Sequence, residues 1–159
     1  MEAYLKLAVF SDSHGYPDRM IRAIEQSAPD MIIHLGDGWS DVTQIETQFP
    51  HIPLKAVRGN CDFSSDLPET GLFSIGTVKI FITHGHLYGV KKILYPLIDA
   101  AIGLDADIVM YGHTHIADCS ISGGIYVLNP GTCGLSVSPS YAEVVIDDKG
   151  EVLPRILRI

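Results

Sequence analysis

Cysteine is scarce in this chain: Cys61, Cys119 and Cys133 are the only three, an odd number with no Cys-x-x-Cys spacing. That excludes a disulfide framework and fits a reducing compartment. Cys119 is expected in the core, as unpaired cysteines usually are. Basic residues are also few, with 11 Lys and Arg against 19 Asp and Glu and a formal net charge of -8. Such a balance repels polyphosphate backbones unless a bound cation reverses it locally, so nucleic acid is not an expected partner. No apolar run approaches the roughly 20 residues that span a bilayer. The N-terminus lacks the basic segment and long apolar stretch of a secretory signal. A cytoplasmic protein with no membrane contact is therefore expected.

What is present suits a folded domain. The 159 residues are 47% hydrophobic, and a chain this long buries roughly 70% of its unfolded surface without staples. No linker, repeat or low-complexity segment interrupts it, so one domain over 1–159 is expected. Short apolar, largely β-branched runs at 5–11, 31–35, 54–57, 79–83 and 107–111 read as buried strands. Helical spacing occupies 17–28, opening at Pro17, and 89–103, where Pro96 marks a kink or a break. From Ile116 onward, strands are expected at 126–129, 134–138, 142–147 and 151–159, with a turn at Asp148, Lys149 and Gly150. Alternating strand and helix followed by nearly continuous strand implies an α/β fold of two packed sheets with helices outside.

The polar residues fall just after the strands: Ser-Asp-Ser-His-Gly (11–15), Gly-Asp-Gly (36–38), Gly-Asn-Cys-Asp (59–62), His-Gly-His (84–86) and Gly-His-Thr-His (112–115). Ligands of open α/β sheets bind beyond the carboxyl ends of the strands. Convergence there would gather Asp12, His14, Asp37, Asn60, His84, His113 and His115. Seven oxygen and nitrogen donors exceed one tetrahedral ion and suit two ions sharing a bridging carboxylate. In Asp-x-His and His-x-His pairs on extended backbone, alternate side chains reach one cavity, while neighbouring glycines give room. Two ions about 3.5 to 4 Å apart clamp a phosphoryl group and lower the pKa of a shared water to about 7, which points to phosphoester hydrolysis.

Each motif alone is also a common turn or solvated loop, and the joint pattern carries the reading. His34 and His51 lie outside it and read as structural or surface residues. Asn-Pro-Gly-Thr (129–132) is either a plain turn or a turn whose amides hold a phosphate oxygen. Trp39 and Tyr88 either line a substrate pocket or serve packing.

The ordered set Asp-x-His, Gly-Asp, Gly-Asn-x-Asp, His-Gly-His and Gly-His-Thr-His resembles the calcineurin-like metallophosphoesterase superfamily, from Asp12 through Thr132. Its length, with Gly-Asn-Cys-Asp, Thr-His-Gly-His and Asn-Pro-Gly-Thr, is similar to the small YfcE-type phosphodiesterase branch. The resemblance implies a four-layer α/β/β/α sandwich of two mixed sheets. It also implies that Asp12, His14 and His115 hold the first ion with Asp37, that Asn60, His84 and His113 hold the second, and that Asp37 bridges. Asp37, Asn60 and His86 would take part in catalysis, His86 at the first ion, behind the ligands or facing substrate. Many superfamily members place histidine where Cys61 stands. A thiol replaces an imidazolium poorly as an acid, so esters with good leaving groups are expected.

The implied reaction is attack of a metal-bridging hydroxide on a small phosphodiester. Mixed His, Asp and Asn donors accept Mn²⁺, Fe²⁺, Co²⁺, Ni²⁺ or Zn²⁺, and manganese is the expectation. Homo-oligomers, dimers or tetramers, are frequent in the branch. The rival is a non-enzymatic interaction scaffold, because a retromer subunit resembles this fold with an incomplete ligand set. All seven positions carry coordinating side chains here. A nuclease would need a basic track, and a Ser/Thr phosphatase more chain.

Overall fold

A computed structural model describes residues 4–159. Ten strands and three α-helices follow one another as β1 (Tyr4–Phe10), α1 (Asp18–Ser27), β2 (Met31–His34), α2 (Trp39–Gln48), β3 (Leu54–Ala56), β4 (Thr70–Ile75), β5 (Val78–Thr83), α3 (Tyr95–Gly103), β6 (Ile108–Met110), β7 (Asp118–Ser122), β8 (Ile125–Asn129), β9 (Ser140–Asp147) and β10 (Val152–Arg158). A 3₁₀ turn covers His86–Tyr88.

The strands form two five-stranded mixed sheets, ordered β10-β9-β1-β2-β3 and β4-β5-β6-β8-β7. β1, β2 and β3 run parallel, as do β5, β6 and β8. Side-chain alternation in β1 shows why its run is apolar throughout. Leu7 and Val9 pack against Ile80, Ile108 and Leu128 of the other sheet. Ala8 and Phe10 face outward to Met20, Ile24 and Ile45 of α1 and α2. On the far side, Phe81, Val109 and Val127 pack against Leu97 and Ala101 of α3. Three apolar layers thus separate four structural layers, and the α/β/β/α sandwich is the observed fold.

Several expectations need correction. The 134–138 segment is an irregular loop, because Gly134 lies against the carbonyls of Asp12 and Ser13 and leaves no room for a strand neighbour. Helix 89–103 shortens to α3, with Pro96 in its first turn, where a missing N–H costs nothing. Cys119 is exposed and Cys133 is the buried thiol. Cys119 sits on β7, an edge strand with exposed residues on both faces. Helix α2 and strands β4 and β7 carry weak apolar patterns and went unpredicted. Among the described residues, no helix is long and apolar enough to cross a membrane.

Candidate metal centre

The five polar loops meet at the carboxyl ends of the parallel strands, three from the first sheet and two from the second. Asp12, His14 and His115 bring one donor atom each within 4.8 Å of one another, as do Asp37, His84 and His113. The two trios touch. His84 Nε2 lies 3.2 Å from Asp37 Oδ2 and 3.8 Å from Asp12 Oδ1. His14 Nε2 lies 3.7 Å from Asp12 Oδ1 and 3.7 Å from Asp37 Oδ2. Asn60 Oδ1 is 3.1 Å from His84 Nε2.

Three of the donors, Asp12, Asp37 and His84, are aimed by a second contact. Asp12 Oδ2 accepts the Ser11 hydroxyl at 2.6 Å and the His113 N–H at 3.0 Å. Asp12 Oδ1 is left buried without a hydrogen-bond partner, facing His115 Nε2 at 3.1 Å. Asp37 Oδ1 accepts the Cys61 N–H at 2.8 Å, which turns Oδ2 toward both trios. His84 Nδ1 meets the Leu35 carbonyl at 2.7 Å, so Nδ1 carries the proton and Nε2 presents a lone pair inward. Imidazole nitrogens also face each other, His14 and His115 at 3.4 Å and His84 and His113 at 3.2 Å.

The electrostatics agree. Burial disfavours the Asp12 carboxylate, but the facing imidazoles of His115, His14 and His84 overcome it, holding the group well below the usual carboxylate range. Asp37 is lowered despite its burial, chiefly by His84 and then by the Cys61 N–H. Hydrogen bonding to Asp12 raises His14 against its desolvation. His84 is raised although burial opposes it, because Asp37 and Asp12 face it. An orphaned carboxylate oxygen, two ionised carboxylates and ring nitrogens converging from four imidazoles suit divalent cations.

The backbone achieves this convergence by a route the sequence did not suggest. Asp12, His14, Asp37, His113 and His115 have φ of 58°, 47°, 61°, 73° and 63°, and only Ala28 and Asp105 join them among described non-glycine residues. These pairs are therefore left-handed, not extended, and the donors themselves carry the strain. Glycine's contribution is close approach. A Cβ on Gly59 would collide with the Asp37 carboxylate, and one on Gly112 with the Ser11 hydroxyl and Asp12.

His86 belongs to neither trio. Its ring lies 5.4 Å from His84 and 6.1 Å from His113, with a buried Nδ1 that has no partner. Burial and then His84 hold its pKa below the ordinary value. The Asn-Pro-Gly-Thr turn uses its polar groups internally: Asn129 donates to the Gly112 carbonyl and Thr114, Gly131 N–H returns to Asn129, and Thr132 donates to the Asp12 carbonyl. Through these bonds it braces the metal-capable loops. His34 is buried, its pKa lowered by desolvation, and it hydrogen-bonds Ser13 at 2.9 Å beneath the Asp12 loop. His51 is exposed. Tyr88 packs edge-on against Phe81, and Trp39 is partly exposed at the start of α2. Asp62 escaped sequence reasoning although it stands in Gly-Asn-Cys-Asp; its carboxylate accepts four main-chain N–H groups around the site.

Residues 5–149 match the model of the calcineurin-like phosphoesterase superfamily domain. The chain belongs to this superfamily. Probable metallophosphoesterase YsnB of Bacillus subtilis is 36% identical over 134 residues, 82% of this chain and 76% of that protein. Phosphodiesterase YfcE of Escherichia coli is 28% identical over 155 residues, 82% of this chain and 80% of its own. A predicted phosphoesterase from Streptococcus pneumoniae superposes with a TM-score of 0.77 at 27% identity, covering 99% of both chains. Vacuolar protein sorting-associated protein 29 of Schizosaccharomyces pombe is 33% identical over 120 residues, 74% of this chain and 62% of that protein. The superfamily's fold and its use of divalent metal ions agree with the two donor trios.

Proposed function

We propose that this metallophosphoesterase hydrolyses small phosphodiesters with two divalent ions. The observation that carries the reading is the pair of touching donor trios, with the Asp37 carboxylate directed toward both. Asp12, His14 and His115 would hold one ion and Asn60, His84 and His113 the other, with Asp37 shared. When bound, two such ions supply a water of lowered pKa and positive charge for the phosphoryl oxygens. Manganese is the proposed native metal. The chain's own residues set the geometry. Leu35 and Cys61 orient His84 and Asp37, and Asn60 sets its carbonyl oxygen toward His84. His86, beside the second trio, would hydrogen-bond a phosphoryl oxygen, a role its 5.4 Å ring distance from His84 supports. Cys61, exposed next to Asn60, offers the leaving group no imidazolium, which favours esters whose alcohol departs readily. Three free cysteines fit a cytoplasmic location.

The likeness to the vacuolar sorting protein favours a second reading, an interaction scaffold. The identity to probable metallophosphoesterase YsnB over 82% of this chain, together with the complete donor set, supports the enzyme. Chelator-stripped protein assayed on bis(p-nitrophenyl) phosphate, with p-nitrophenyl phosphate for comparison, tests the choice. Activity returning with Mn²⁺ at two ions per chain, greater on the diester and abolished by Asp37→Asn, is expected. Two bound ions with no turnover of either ester would favour the scaffold.

A further inference from the structure

Beside the His113–His115 loop the surface opens into a cavity of about 530 Å³, floored by Val90 and Tyr111, walled by Leu94 and Ile116, and sharing Thr114 with the loop itself. The floor is part of the outer core, for Val90 and Tyr111 are 5% and 3% exposed and pack with Leu97 and Val127. It is therefore formed before any ligand arrives. Thr114 fixes the near wall: its hydroxyl accepts the Ile116 N–H at 3.2 Å and a hydrogen bond from Asn129 at 3.0 Å. Ile116 stands at the lip and is 70% exposed, so its side chain is available to a ligand without loss of core packing.

One charge of each sign lines the cavity. Lys91 is the single cation among its lining residues. Asp118 lines it as well, at the start of β7. A volume of this size falls within the roughly 300 to 1,000 Å³ of small-molecule sites. It is more than a methyl ester fills. Its apolar floor would leave a bare sugar without partners, and Asp118 opposes a second anion beside Lys91.

We infer that the cavity receives one ester group of the substrate, a neutral aromatic ring such as an aryl group or a nucleobase, while the phosphoryl group lies at the His113–His115 loop beside Lys91. The inference rests on the phosphodiesterase reading and narrows its substrate class.

Calorimetric titration of the Mn²⁺-supplied protein with phenylphosphonate and methylphosphonate tests it without turnover. Burying the ring should make the phenyl compound bind roughly tenfold tighter. Ile116→Asn, at an exposed position that leaves the core intact, should cut that ratio to about threefold with methylphosphonate unchanged. Lys91→Gln should weaken both compounds by a similar factor. Equal binding of the two by wild type, a ratio indifferent to Ile116→Asn, or a Lys91→Gln effect confined to one compound overturns the assignment. If neither phosphonate binds with both ions present, the phosphodiesterase reading beneath it falls as well.

Discussion

The carboxylate of Asp62 accepts the main-chain N–H of Asp37 at 2.8 Å, across 25 residues of sequence. The same carboxylate takes the N–H groups of Gly38 at 3.0 Å, Trp39 at 3.1 Å and Gly59 at 2.8 Å. One buried anion thus ties the loop after β2 to the loop after β3 and sits at the N-terminus of α2, where the helix dipole favours negative charge.

Replacing that anion should damage the fold and the metal centre together. Asp62→Asn keeps the shape but turns one acceptor into a donor facing N–H groups, and should cost about 2 to 3 kcal/mol of stability. Metal affinity should fall about tenfold, as when the partners behind a ligand are lost. Urea unfolding of stripped protein and Mn²⁺ titration measure the two separately. Unchanged metal affinity in a destabilised variant would show that Asp62 serves the fold alone.

Much of this site was legible because its donors follow apolar runs that could only be buried strands, as at Phe10, Leu35 and Tyr111. Topology then had to bring the strand ends together. Asp62 was not legible, since an acidic residue that binds only main-chain N–H groups has no sequence signature apart from a turn. Helix α2 was missed because only Val42 and Ile45 supply buried apolar side chains. Strand β4 alternates exposed and half-buried residues, and β7 lies at an edge, so neither shows the apolar run of the central strands. Backbone handedness at the donors was invisible, because an Asp-x-His pair reads the same whether extended or left-handed.

That handedness makes its own prediction. His115 is exposed with φ of 63°, a conformation that costs a residue with a Cβ about 1 kcal/mol relative to glycine. In stripped protein, His115→Gly should be more stable than His115→Ala by about that amount, while both lose one ion. Paired thermal melts and metal counts decide it. If alanine proves equal to glycine, the strain is not at this residue.

Cys133 supplies a pH dependence. Its thiol is fully buried against the Ser11 carbonyl, and burial, with the charge of Asp12, pushes its pKa from 9.0 to about 12. A pKa raised on folding means that the stabilisation is complete below pH 9 and is lost as pH rises toward 12. The alkaline loss attributable to this thiol is at most about 4 kcal/mol. Cys133→Ala should flatten the fall in unfolding free energy between pH 9 and 11, measured in urea. A variant as alkali-sensitive as wild type would locate the effect elsewhere.

Both donor trios draw from both sheets: Asp12 and His14 follow β1 while His115 follows β6, and Asp37 follows β2 while His84 and His113 follow β5 and β6. Neither of these two trios is complete within one half of the chain, although His14, Asp37 and Cys61 form a further group within the first half. Filling either of these trios would therefore require the two sheets to have docked, so that metal content would report on assembly of the sandwich.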